Sequence, residues 1–197
     1  MPFVHLSTDY VFDGSGTRPW REDDPVSPLG AYGRTKAAGE TVVVAASPTH
    51  SVVRTSWLVG PFGHNFARTI LRLAADRDEI KVVADQHGCP TSSLDLADAL
   101  IALADCAIAG RAGGIWHLAG QGTASWADLA EEIFTVSAAH GGPSAQVKRI
   151  ATADYPTPAK RPANSILDGT KVRDALGIAL PDWRVGVGAF VPRFINA

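Results

Sequence analysis

The sequence is short of the features that mark several large classes of protein. Only two of its 197 residues are cysteine, Cys89 and Cys106. Two are too few for a disulfide framework, and neither stands at metal-ligand spacing from a His or Asp partner, so both are expected to be core thiols. No uninterrupted apolar run approaches the roughly 20 residues of a membrane helix. The opening Met-Pro-Phe-Val-His has neither the basic stretch nor the apolar core of a signal peptide. The expected location is the cytoplasm, with no membrane partner. Charge is sparse and balanced: 18 Lys and Arg against 20 Asp and Glu leave a formal net charge of -2, and the cations are scattered singly. That excludes the basic stripe of a nucleic-acid-binding protein and leaves a small ligand or another protein as partner. Internal repeats and low-complexity segments are also missing. What remains is 46% hydrophobic residues, the composition of an ordinary globular domain.

Short β-branched runs alternate with longer helix-forming stretches, which is the α/β pattern. Phe3 to Ser7 predicts a buried strand, followed by a long loop through Asp13-Gly14-Ser15-Gly16 to Pro28. Tyr32 to Ala46 predicts a helix with a Lys36/Glu40 pair at four-residue spacing, leading into a strand over His50 to Thr55. Asn65 is placed to cap a helix over Phe66 to Asp76, and Ile80 to Val83 predicts a short strand. Ser92 or Ser93 is placed to cap Leu94 to Ala107, and Ile115 to Ala119 predicts another strand. Ser125 with Asp128 forms a capping signal for Trp126 to Ala139, which Gly141-Gly142-Pro143 ends. Helices over Thr170 to Leu176 and Trp183 to Phe194, separated by Gly177 and Pro181, close the chain.

Chemistry concentrates at Tyr32 and Lys36, four residues apart at the start of a predicted helix and therefore on one face. A phenol is a poor acid or base at neutral pH, and an adjacent ammonium favours its phenolate form. The spacing alone is weak, since a solvated helix face would carry the same pair. Its context adds to it. Ser7-Thr8-Asp9-Tyr10-Val11-Phe12-Asp13-Gly14 ends the first strand, Ser27-Pro28-Leu29-Gly30-Ala31-Tyr32-Gly33-Arg34-Thr35-Lys36 opens the helix, and Arg54-Thr55-Ser56-Trp57 ends the next strand. Asp85-Gln86-His87-Gly88-Cys89-Pro90-Thr91, Tyr155-Pro156-Thr157-Pro158-Ala159-Lys160-Arg161-Pro162 with Asn164-Ser165, and Leu180-Pro181-Asp182-Trp183 continue the series. Together these segments resemble the extended short-chain dehydrogenase/reductases and, within them, the dTDP-4-dehydrorhamnose reductase family, over essentially the whole chain.

The resemblance implies reduction of the 4-keto group of a dTDP-6-deoxy-hexulose by a nicotinamide cofactor, NADPH or NADH, in dTDP-rhamnose biosynthesis. Tyr32 would be the proton donor, Lys36 would bind the nicotinamide ribose and lower the phenol's pKa, and Thr8 would hydrogen-bond the reacting oxygen. Asp9, Tyr10 and Trp57 would line the sugar site, and Arg161 would meet the diphosphate. Each has a plainer alternative: Thr8 as a strand-end turn residue, Asp9 as a loop cap, Trp57 as a core aromatic, Arg161 as half of a surface salt bridge. Cys89-Pro90-Thr91 either approaches the sugar nucleotide or is a bare turn. His117 is expected to be a satisfied core imidazole. Some members of the family use Mg2+, but no ligand cluster for it stands out.

The fold so implied is a partial Rossmann-like, doubly wound parallel sheet over residues 1–150 with interleaved substrate-binding segments, and a small C-terminal substrate-binding region over 151–197. A strand, glycine-rich turn and helix to cradle a cofactor's pyrophosphate are not found in the sequence. Gly120-Gln121-Gly122 lacks the third glycine and the acidic ribose ligand of such a fingerprint. The chain is therefore expected to be the C-terminal portion of a longer reductase, marginally stable and weak in cofactor binding. Its unpaired sheet edge would pair with another chain, a homodimer being one such state. Two other functions remain open: a non-catalytic regulatory subunit of the methionine adenosyltransferase type, and a sugar-nucleotide epimerase or dehydratase.

Overall fold

The computed structural model describes residues 1–195. Its elements in chain order are β1 (Val4–Thr8), α1 (Ala31–Ala46), β2 (Ser51–Thr55), β3 (Leu58–Val59), α2 (Phe66–Ala74), β4 (Glu79–Val83), β5 (His87–Gly88), β6 (Thr91–Ser92), α3 (Ser93–Ile108), β7 (Gly114–His117), β8 (Ala124–Ser125), α4 (Trp126–Ala139), β9 (Gln146–Ile150), α5 (Thr170–Leu176), α6 (Trp183–Phe190) and α7 (Pro192–Ile195). Strands β1, β2 and β7 form a parallel sheet in that order, with Thr8 opposite Thr55 and Arg54 opposite His117. Central β2 is buried from Ser51 to Arg54, as a parallel strand covered on both faces must be. β1 is an edge: it pairs with β2 alone among the described residues, and Phe3 and Leu6 are exposed.

Two apolar clusters hold the layers together. Val53, Leu96, Leu103, Trp116, Leu118 and Val172 join the sheet to α3 and α5. Ile70, Ile80, Leu129, Ile133, Val187 and Phe190 join α2, α4 and α6 to a second, two-stranded parallel sheet of β4 and β9. Helix starts follow local side-chain chemistry. Asn65 Oδ1 accepts from the Arg68 amide at 3.3 Å, and Ser92 Oγ accepts from the Asp95 amide at 3.4 Å. Ser125 and Asp128 complete a reciprocal capping box, satisfying two amides that the helix leaves without partners.

The structure departs from the sequence expectations most clearly at three elements, besides the unexpected two-residue strands β3, β5, β6 and β8. β9 is a strand that the polar run Gln146-Val147-Lys148-Arg149-Ile150 did not announce; it pairs in register with β4 from Glu79 to Val83. The helix expected over Trp183 to Phe194 is two helices, because Pro192 has no amide hydrogen to continue α6 and instead opens α7. α2 stops at Ala74, short of Asp76. The long loop after β1 is also more ordered than its composition suggests. Trp20 bridges to Leu167, with its amide on the Ile166 carbonyl at 2.8 Å and its indole on the Asn164 carbonyl at 3.1 Å. The loop and the C-terminal segment thus support each other beside the carboxyl ends of the main strands. Among the described residues no helix is long and apolar enough to cross a membrane.

Candidate active site

The carboxyl ends of β1 and β2 open into one cavity of about 490 Å3, the usual place for a ligand in an open parallel sheet. β1 ends at Thr8, and the chain tightens into a 3-10 turn over Asp9–Val11. Thr8 Oγ1 accepts from the Tyr10 amide at 3.2 Å and donates to Asp9 Oδ1 at 2.8 Å. The other carboxyl oxygen of Asp9 accepts from Ser56 Oγ at 2.9 Å, one residue beyond the end of β2. Asp9 is only 3% exposed. Burial pushes its carboxyl up to about 6, against the opposing pull of hydrogen bonds from Thr8, Ser165 and Ser56. Burial also pushes the Tyr10 phenol up to about 12; the Asp9 charge adds to this and Arg161 opposes it.

Trp57 follows Ser56 in the left-handed backbone region, at φ 45°. Its indole N–H donates to Ser165 Oγ at 3.1 Å, and its ring lies flat on Trp126, with centroids 3.7 Å apart and planes 6° from parallel. Trp126 is the first residue of α4 and touches the Phe66 ring in turn. Across the cavity, α1 presents Tyr32, 56% exposed, with its ring edge-on to Tyr10 at 6.2 Å. That approach depends on Gly33: a Cβ there would stand 2.1 Å from the Tyr10 carbonyl oxygen.

Thr8, Asp9, Tyr10, Tyr32 and Trp57 therefore share one cavity, which Trp126 and Arg161 also line. Lys36 does not line it. One helical turn beyond Tyr32, its Nζ donates to the Leu6 carbonyl of the edge strand at 3.1 Å. Thr8 acts as a turn cap while lining the site, and its single hydroxyl proton is directed at Asp9. Ser56, Ser165 and Trp126 were not given site roles by the sequence reading. Trp126 had a usable signal, an aromatic in the first turn of a capped helix. A second cavity of about 440 Å3 shares Trp126 and Arg161 with the first and is lined by Asn65, Phe66, Gln86 and Tyr155.

His117 is wholly buried, and burial together with the Arg54 charge pushes it down to about 3, so it is a neutral core imidazole, though not the satisfied one expected, since its Nδ1 has no hydrogen-bond partner. Cys89 and Cys106 are buried free thiols, and burial raises Cys89 to about 11. Among the described residues no group of three or more His, Cys, Asp or Glu is placed to hold a metal ion.

Comparison with known proteins gives a consistent result. A family model described as the RmlD substrate binding domain matches residues 1–195. A dTDP-4-dehydrorhamnose reductase of Sinorhizobium fredii is 46% identical over 186 residues, covering 93% of this chain and 63% of its own length. The crystal structure of a dTDP-4-dehydrorhamnose reductase from Clostridium acetobutylicum is similar at a TM-score of 0.89 with 37% identity, covering 98% of this chain and 66% of that one. A Bacillus anthracis dTDP-4-dehydrorhamnose reductase in complex with NADP gives 0.88 and 34%, covering 98% and 65%. The chain thus spans 63% of the length of the Sinorhizobium fredii relative.

Proposed function

The chain belongs to the RmlD substrate-binding domain family, and on that basis we propose that it is the sugar-nucleotide-binding and proton-donating part of a dTDP-4-dehydrorhamnose reductase, the NADPH-dependent enzyme that makes dTDP-L-rhamnose. The observation that carries this reading is the convergence of Thr8, Asp9, Tyr10, Tyr32 and Trp57 on one cavity at the strands' carboxyl ends. Tyr32 is the residue to protonate the 4-oxygen of the hexulose. Asp9 and Tyr10 offer polar groups to the sugar hydroxyls, and Trp57 offers an apolar ring edge. The adjoining cavity carries the aromatic faces of Phe66, Trp126 and Tyr155, which suit a nucleobase. Arg161, common to both cavities, suits the diphosphate between base and sugar.

Thr8 has a narrower role than donor to the keto oxygen. With its proton on Asp9 and one lone pair on the Tyr10 amide, it has one lone pair left, so it accepts from the substrate or from Tyr32. It can donate only when its hydroxyl rotates away from Asp9.

The residues fit one end of a nicotinamide cofactor. Tyr32 and Lys36 would hold the nicotinamide ribose, where the bound cofactor supplies hydride. To reach it, Lys36 would have to release the Leu6 carbonyl that its Nζ holds at 3.1 Å. The pyrophosphate end is not matched by the Gly120-Gln121-Gly122 turn. A Cβ on Gly122 would face the Asp182 carboxylate at 3.1 Å, and one on Gly120 would meet the Pro90 carbonyl oxygen at 2.2 Å. Those glycines serve packing beside an acid, not an anion cradle.

The test is NADPH oxidation with dTDP-4-dehydro-6-deoxy-L-mannose. It compares this chain with a version extended upstream to the length of its relatives and with the Tyr32→Phe form of that version. Reduction by the extended protein, falling at least about 100-fold in Tyr32→Phe, supports the reading. Nucleotide binding without turnover in the extended protein would move it to a non-catalytic subunit. Conversion of sugar without net cofactor consumption would move it to an epimerase.

A further inference from the structure

Helix α1 carries Tyr32 and Lys36, yet it lacks the apolar stripe that ordinarily docks a helix. Only two of its 16 residues are buried, Gly33 and Glu40. They are seven apart, two helical turns, and so lie on one face. Gly33 brings the first turn against the Tyr10 carbonyl. Glu40 receives three hydrogen bonds, from Ser7 Oγ, from Arg54 Nε at 2.9 Å and from the Arg54 NH2 nitrogen at 2.7 Å. Glu40 is 5% exposed and Arg54 2%. Arg54 is itself fixed, with its guanidinium over the Phe12 ring at 5.0 Å and its NH1 nitrogen on the Glu22 carbonyl at 3.4 Å.

A buried ion pair is a poor way to add stability, because the cost of taking both charges out of water offsets most of their attraction, and apolar residues of similar volume hold as well. What an apolar contact does not supply is a fixed distance and direction, which a two-pronged guanidinium–carboxylate pair does. The partners of Glu40 are neighbours of the site in the chain: Ser7 precedes Thr8, and Arg54 stands two residues before Ser56, which holds Asp9. Tyr32, Lys36 and Glu40 follow one another at four-residue steps along the helix.

We propose that Glu40 and Arg54 are positioning residues for the reduction, their pair fixing the rise and rotation of α1 so that Tyr32 stands edge-on to Tyr10 in the cavity it shares with Thr8 and Asp9. The proposal rests on Tyr32 as the proton donor, but its geometric part can be tested in the 197-residue chain without turnover. The chain has three tyrosines, at 10, 32 and 155. With tyrosine labelled for NMR, the Tyr10 and Tyr32 rings should show a cross-relaxation signal, and Tyr155 serves as an internal control.

In the double variant Glu40→Met with Arg54→Met, and more mildly in Glu40→Gln, we expect cooperative unfolding to persist. The Tyr10 and Tyr32 resonances should shift, their mutual signal should weaken, and Tyr155 should not move. In the extended enzyme kcat should fall on the order of 100-fold, as for a misplacement of about 1 Å, with KM changed less than about threefold. A folded double variant with unchanged Tyr10 and Tyr32 signals overturns the proposal. If the double variant does not fold, the same signals in Glu40→Gln decide it. An inactive extended wild type would instead count against the reductase reading and leave the tyrosine result to stand on its own.

Discussion

A carboxyl buried among hydroxyls has few ways to hold a charge, and Asp9 illustrates the consequence. Its folded value of about 6 lies above the 3.8 of an ordinary aspartate, so the folded chain holds this proton more tightly than the unfolded one does. The group's stabilising contribution is therefore fully present below about pH 4, is lost as pH rises through 6, and stays lost above it. A shift of this size corresponds to about 3 kcal/mol. Urea unfolding of the wild type and Asp9→Asn between pH 4 and 8 should show the wild type losing about that much relative to the variant as pH rises; a difference flat with pH would refute the assignment. At this scale the sequence was legible wherever partners adjoin in the chain. Thr8, Asp9 and Tyr10 could be placed together from one strand end. Ser56 and Ser165 could not, because the first meets Asp9 across 47 residues and the second meets Trp57 across 108. Lys36 was expected beside Tyr32 at the site, whereas its Nζ meets the Leu6 carbonyl outside the cavity, a contact that follows from tertiary approach alone.

Elements were legible where a local side chain states the boundary. Asn65, Ser92 and the Ser125–Asp128 box each satisfy amides that a helix start leaves free. Ser125→Ala should cost about 1 kcal/mol in chemical denaturation. β9 was missed because its exposed positions are polar and its order comes from β4 and from Arg149, which binds Asp128 and Glu131 of α4. Neither partner is visible from a five-residue window. Gly33 gives a test in which the usual sign reverses. Alanine for glycine inside a helix ordinarily gains about 1 kcal/mol. Here the added carbon would sit 2.1 Å from the Tyr10 oxygen, so Gly33→Ala should destabilise by about 1–3 kcal/mol, measured by thermal or urea unfolding. A stabilised variant would show that α1 sits looser on the 3-10 turn than described.

On the scale of the whole molecule, the edge of β1 and the outer face of α1 leave Phe3, Leu6, Val42 and Val44 exposed beside unpaired backbone. Such an edge invites pairing with another chain. We expect the 197-residue protein to self-associate with rising concentration, and Leu6→Lys, at a position already 42% exposed, to suppress this without loss of fold. Sedimentation velocity over a range of concentrations checks both. That the sheet is parallel was readable because strand and helix patterns alternate along the chain; its order β1-β2-β7 and the exposure of its edge depend on tertiary pairing. The apolar cluster around α2, α4 and α6 reaches the site through the parallel indoles of Trp57 and Trp126, which join the end of β2 to the start of α4. Aromatic transitions stacked at that separation couple electronically, so the pair should give a split band in near-ultraviolet circular dichroism and mutually quenched fluorescence. Any molecule that parts or tilts the rings would change both signals. The site therefore carries its own optical gauge, able to register occupancy of either cavity without reading turnover.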